Sequence, residues 1–103
     1  MNWKLSFHDK AIDEFSNLDH SQQLEVAKAI DKVMQNPLPI QEGGYGKPLS
    51  GKLSGCCKIK LKKSGIRVVY KVERVDNEMR VIVIGLRHNS DVYKTAENRI
   101  NDI

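Results

Sequence analysis

Between Cys56 and Leu86 the chain alternates apolar and polar residues in three successive runs. These are CCKIKLKK, IRVVYKVER and EMRVIVIGL, separated by Ser64-Gly65 and by Asp76-Asn77. Period-two alternation broken by short turn-forming pairs predicts three consecutive strands, over 56–63, 66–74 and 78–86. Side chains alternate faces along a strand, so Cys57, Ile59 and Leu61 are expected to enter the core while Lys58, Lys60 and Lys62 point away from it. The stretch MRVIVIGL is apolar on both faces at its centre, which predicts an inner strand covered by helices on one side.

Upstream sequence supplies that cover. WKLSF (3–7) alternates and reads as a short N-terminal strand. Asp9 is placed as an N-cap, followed by Ala11, Ile12, Phe15 and Leu18 at helical spacing. A second, longer helix starts at Asp19 or Ser21 and carries a broad apolar face of Leu24, Val26, Ala27, Ala29, Ile30, Val33 and Met34. Pro37 and Pro39 end it. The short gap between the two helices predicts an antiparallel helical hairpin. Residues 40–55 hold Gly43, Gly44, Gly46, Pro48, Gly51 and Gly55 and read as a loop, and Ser90 is expected to cap a last short helix, SDVYKTAENRI. Trp3 and Tyr70 are expected in the core. The predicted architecture is α+β: an N-terminal strand, a helical hairpin on a mostly antiparallel sheet of three to four strands, and a short C-terminal helix, all in one domain spanning 1–103.

Several classes are disfavoured. No apolar run approaches the ~18 residues of a membrane helix. The start, MNWKLSFHDK, lacks the apolar region of a signal peptide. Adjacent Cys56 and Cys57 cannot staple a small fold and read as free thiols in a reducing cytoplasm. His8, His20 and His88 share no ligand spacing with the cysteines, so a zinc site is not expected.

Charge distribution carries the functional signal. The net charge is only +4, yet residues 43–72 hold eight Lys/Arg and no carboxylate, whereas the remainder holds nine basic and thirteen acidic residues. Such asymmetry within a small domain marks a polyanion site, since a merely solvated face normally mixes both signs. If Ser64-Gly65 is a two-residue turn, Lys62 lies opposite Arg67 and Lys58 opposite Lys71; a bulge at Gly65 would change that register. In either case cations converge on one exposed face of the sheet, and an anion such as phosphate would relieve their repulsion. Neighbouring cations lower a lysine pKa from its usual ~10.4, and a lysine so shifted can act as a general base. The hairpin offers no Asp, Glu or His for that task, so in an enzyme lysine and arginine carry both proton transfer and charge stabilisation. No carboxylate or histidine cluster could hold a metal beside the phosphate, and no cofactor is expected.

KIKLKKSGIRVVYKV followed by IGLRHNSDVY closely resembles the RelE toxins of bacterial type II toxin–antitoxin systems, within the RelE/ParE superfamily. The resemblance covers nearly the whole chain in order. It implies a ribosome-dependent endoribonuclease that cuts the mRNA codon in the A site, where the ribose 2′-hydroxyl attacks the adjacent phosphate and leaves a cyclic phosphate and a free 5′-hydroxyl. It implies roles for five residues. Lys60 is the general base and Lys58 helps hold the phosphate and transition-state charge; Arg67 stabilises the phosphate oxyanion. Arg87 is the proton donor to the leaving oxygen, and Tyr93 stacks on an mRNA base and helps orient the 2′-hydroxyl. Cys57 stands where the family often has an aromatic, and His88 follows Arg87 where a surface residue or a proton shuttle fits. Lys47, Lys52, Lys62, Lys63 and Lys71 are candidate contacts to ribosomal RNA. The implied partners are a cognate antitoxin, the ribosome with its A-site mRNA, and operator DNA reached through the antitoxin. Two alternatives stay open: a ParE-like gyrase poison without nuclease activity, whose relatives lack the lysine pair and the Arg/Tyr arrangement, and a non-catalytic nucleic-acid-binding module.

Overall fold

The computed structural model describes residues 3–86 and 91–102. Chain order is β1 (Lys4–Phe7), α1 (Asp9–Ser16), α2 (His20–Met34), β2 (Lys47–Pro48), β3 (Cys56–Leu61), β4 (Ile66–Glu73), β5 (Glu78–Leu86) and α3 (Asp91–Arg99), with short 3-10 turns at Ile40–Glu42, Gly51–Leu53 and Ile100–Asp102. The sheet has the order β1-β5-β4-β3-β2. β1 runs parallel to β5, and the other pairings are antiparallel. The strand Lys47–Pro48, placed in a loop by the sequence, adds a fifth member.

Local signals explain the helices. Asp19 caps α2 with a reciprocal box: its Oδ1 accepts from the Gln22 amide (2.8 Å), and Gln22 Oε1 accepts from the Asp19 amide (3.1 Å). For α1 the cap is His8, whose Nδ1 accepts from the Lys10 amide at 3.1 Å. Asp9, expected as the cap, is instead the first helical residue, where a carboxylate favours the positive end of the helix dipole. The apolar face of α2 is narrower than its composition suggested. Val26, Ile30 and Val33 are buried, whereas Leu24 and Ala27 are exposed. Ile12 is also exposed and joins Leu5, Phe7, Phe15, Ala27, Ile30 and Asp31 around an apolar groove of about 240 Å³.

The sheet is covered on both faces, not on one. Cys57, Ile59, Leu61, Ile66, Val68, Tyr70, Met79, Val81 and Ile84 pack with Ala11, Val26, Ile30 and Val33 of the helical pair. On the other face Cys56, Val69, Ile82 and Val83 pack with Leu53 and with Val92 and Ala96 of α3. Only Val92, Tyr93 and Ala96 of α3 carry that second layer, so the helix reads in sequence as a largely polar one. Gly85 permits the contact, because a Cβ there would meet Val92 Cγ2 at 2.6 Å. Tyr70 is fully buried as expected and donates to the Pro37 carbonyl at 2.8 Å, tying the exit of α2 to the sheet. Trp3 is half-buried and belongs to neither core cluster.

Candidate active site

β3 and β4 create the site through their register. Leu61 pairs with Ile66, Lys60 with Arg67, Lys58 with Val69 and Cys56 with Lys71. The connection is therefore the four residues 62–65, and the expected two-residue turn does not form. Physical chemistry accounts for this: a type I′ hairpin needs positive φ at both central residues and type II′ needs glycine first. Here glycine comes second, and only Gly65 (φ 79°) is left-handed. The Gly65 amide closes the loop on the Leu61 carbonyl at 2.8 Å, and Ser64 Oγ accepts from the Ile66 amide at 3.2 Å. Relative to the expected pairing the register shifts by two residues. A shift of two preserves which face each side chain occupies, so the core-facing and outward sets stand while the partners change.

The outward set is thus Lys58, Lys60 and Arg67, with Lys47 of β2 directly opposite Lys58. Lys60 and Arg67 are cross-strand neighbours, with Cα atoms ~5 Å apart, and Lys58 lies ~7 Å along the strand. Lys58, Arg67 and Lys47, in that order, hold the exposed Lys60 ammonium below the ordinary lysine pKa. Tyr93, from the first turn of α3, completes the group. Arg67 Nη1 donates to its phenolic oxygen at 3.1 Å, and Lys58 Nζ sits 5.8 Å from its ring centroid, within cation–π range. The ring is half-buried against the α3 side of the core, so packing and polar contacts fix it together. A cleft of about 180 Å³ opens beside the cluster, lined by Lys60, Leu61, Lys62, Gly65, Ile66 and Arg67. Its lining includes two lysines and an arginine and no carboxylate, which suits a phosphate.

Four predicted residues therefore come together: Lys58, Lys60, Arg67 and Tyr93. Arg87 and His88 lie outside the described residues, as does Ser90. Lys47, anticipated only as an RNA contact, adds a cation at the site itself. Lys62 lines the cleft, while Lys63 and Lys52 are exposed on turns. Lys71 does not join the cluster. It lies opposite Cys56, four residues along β4 from Arg67, and its ammonium pairs with Glu73 at 2.8 Å. The cationic surface is also not the open sheet face that alternation predicted, because α3 covers the middle of that face and leaves the β3–β4 end accessible. Cys57 faces the core; burial pushes the Cys56 thiol up to about 11 and raises the Cys57 thiol as well, which disfavours the thiolate form of both. Among the described residues no three His, Cys, Asp or Glu side chains come together as metal ligands.

One further pair was not anticipated. Glu14 of α1 and Arg99 of α3 form a bidentate ion pair, with both N–O distances 2.8 Å. They are far apart in sequence and neither belongs to a motif, so no sequence pattern points to them.

Residues 5–93 match the family model described as ParE toxin of type II toxin-antitoxin system, parDE. A RelE-like toxin protein of Escherichia coli is 36% identical over 97% of this chain and 99% of its own length. The mRNA interferase toxin RelE of Escherichia coli strain K12 is 33% identical over the same shares. Among solved structures, a double-arginine mutant of E. coli toxin RelE in the free state superimposes with a TM-score of 0.82 at 31% identity, covering 97% of this chain and 99% of that one. The same mutant in complex with an antitoxin RelB peptide gives 0.73 at 30% identity, over 93% and 95% of the two chains. The chain belongs to the ParE toxin family of type II toxin–antitoxin systems, as a RelE-type member.

Proposed function

We propose that this toxin is a ribosome-dependent mRNA endoribonuclease that cleaves the codon in the ribosomal A site and so stops translation. The observation that carries the reading is the cluster of Lys58, Lys60 and Arg67 around Tyr93, with the Lys60 pKa lowered by its neighbours. Neutral Lys60 accepts the proton of the ribose 2′-hydroxyl. The 2′-oxygen attacks phosphorus, the bond to the 5′-oxygen breaks, and Arg87 donates a proton to that leaving oxygen. Lys58 and Arg67 hold the non-bridging oxygens as charge builds on them. Tyr93, oriented by Arg67, stacks on a base and sets the attack geometry. The products are a 2′,3′-cyclic phosphate and a 5′-hydroxyl. The ribosome supplies in-line alignment of the flexible mRNA, a contribution that can reach several kcal/mol.

Two lines support this reading: the relative named mRNA interferase toxin RelE spans nearly the whole chain, and Lys58, Lys60, Arg67 and Tyr93, four of the five residues that carry the resemblance, fall into one cluster. A cognate antitoxin is the protein partner, as for the neighbour solved with an antitoxin peptide. The toxin–antitoxin complex would reach operator DNA through the antitoxin. Lys52, Lys62 and Lys63 are placed to meet ribosomal RNA, and Lys47 meets either RNA or the scissile phosphate. Among the described residues no helix is long and apolar enough to cross a membrane, which fits action on ribosomes in the cytoplasm.

Mapping 5′ ends on mRNA held in programmed ribosomes, beside ribosome-free mRNA, tests the reading. A cut inside the A-site codon that requires the ribosome is expected. A second reading, poisoning of DNA gyrase, draws on the name of the matched family model. It would be adopted if the mRNA stays whole and expression produces gyrase-dependent DNA breaks.

A further inference from the structure

β5 has a gap along one edge. β1 pairs with it only from Glu78 to Val81, and the His8 amide adds a last bond to the Val81 carbonyl at 2.8 Å before α1 turns away. Beyond Val81, among the described residues, no strand pairs with the backbone groups on that side. The Ile82 carbonyl and the Ile84 amide, which flank Val83 and point the same way, are instead met by side chains. Ile84 N–H donates to Glu14 Oε1 at 3.0 Å, and Arg99 Nη1 donates to the Ile82 carbonyl at 3.0 Å. Glu14 and Arg99 are themselves joined bidentately, so one carboxylate and one guanidinium act as the missing peptide unit of a neighbouring strand. Arg99 is only 9% exposed, and leaving such groups unpaired in the interior would be costly.

The pair also links helices on opposite sheet faces. Glu14 rides on α1, which packs with the first core cluster, and Arg99 on α3, which packs with the second. Tyr93 lies six residues before Arg99 on the same helix, ~9 Å along the axis at 1.5 Å per residue. A tilt of about 10° about the Arg99 end swings the phenol by roughly 1.5 Å, and a misplacement of about 1 Å can cost roughly a hundredfold in rate.

We propose that Glu14 and Arg99 are positioning residues: by standing in for a strand on the open edge of β5 they set α3, and α3 sets Tyr93 against Lys58 and Arg67. The geometric part is independent of function; the catalytic part rests on the nuclease reading above. The pair is not a plain ion pair, because Glu14 must accept from Ile84 as well. An arginine has no acceptor, so exchanging the two charges as Glu14→Arg with Arg99→Glu does not restore the arrangement.

The test compares wild type, Arg99→Met, the exchanged double variant, and Val33→Ala, which weakens the core under α2 away from the site. Ring signals of ¹³C-labelled tyrosine are recorded on the free toxin, which has three tyrosines. Arg99→Met and the exchange should move the Tyr93 ring signals and leave those of buried Tyr70 in place, while Val33→Ala leaves Tyr93 unmoved. In single-turnover cleavage on programmed ribosomes, Arg99→Met should lower the saturating rate roughly tenfold to a hundredfold with an unchanged half-saturating concentration. Unmoved Tyr93 signals in Arg99→Met, or an equal rate loss in Val33→Ala at matched thermal stability, overturns the proposal. Moved signals with a wild type that cuts nothing would uphold the geometric part and remove the nuclease reading instead.

Discussion

Lys60 occupies a position that stability alone would not choose. It faces Arg67 across the ladder, with Lys58 two residues away and Lys47 on the next strand. Like charges across a sheet destabilise it, and no described carboxylate lines the adjoining cleft. Lys60→Ala should therefore melt no lower than wild type in thermal denaturation, while losing cleavage, as happens when a functional group is held against the fold's preference. A decrease in Tm comparable to a core truncation would contradict this. The pH dependence follows from the same cluster. A lysine acts as a base only when neutral, so the rate rises with pH and levels off above its pKa. Because Lys58 is the largest contributor to the lowered pKa, Lys58→Met should move the inflection of the pH–rate profile to higher pH. The fold responds with the corresponding sign. Folded Lys60 binds protons less well than unfolded, so its contribution to stability grows as pH rises from the folded toward the unfolded value.

At the scale of elements, the seating of α3 decides whether Tyr93 is in reach. Gly85 leaves room for Val92, and a methyl group at that position would meet Val92 Cγ2 at 2.6 Å. Gly85→Ala should cost about 1–3 kcal/mol in denaturant unfolding, the usual range for overpacking. Adding Val92→Ala to that variant should recover part of the loss, whereas independent effects would simply add. These contacts also mark the limits of what the sequence discloses. Three strands, the helical pair and the outward lysines follow from periodicity, and the side-chain faces are those that alternation predicts because a two-residue difference in register leaves parity unchanged. The loop 62–65 departs from the local pattern because a Ser-Gly pair invites a tight turn whose dihedrals it does not satisfy. α3 reads in the sequence as a helix but not as a second cover for the sheet, since Val92, Tyr93 and Ala96 are its only apolar residues. Glu14 and Arg99 have meaning only once the short β1 leaves the edge of β5 open, and that is a property of topology rather than of local pattern.

For the whole molecule, segregation of charge is the main design feature. A carboxylate-free basic segment forms β2, β3 and much of β4, and the remainder of the chain has net negative charge. Electrostatics of this kind steer a protein towards RNA and make binding salt-dependent. Replacing Lys62 and Lys63 together by alanine should flatten the dependence of ribosome affinity on salt by a log–log slope of roughly 0.7 per lost phosphate contact. Cleavage at saturating toxin should be retained, because neither residue is assigned to the chemistry; a loss at saturation would place one of them in it. The central claim is that this basic cluster performs a reaction and does not merely bind. The direct measurement is single-turnover cleavage of A-site mRNA by wild type and Lys60→Ala, with ribosome affinity determined on the same preparations. The account predicts a ribosome-dependent cut that Lys60→Ala abolishes while affinity persists. Equal cleavage by both proteins, or loss of cleavage in proportion to loss of binding, would contradict it.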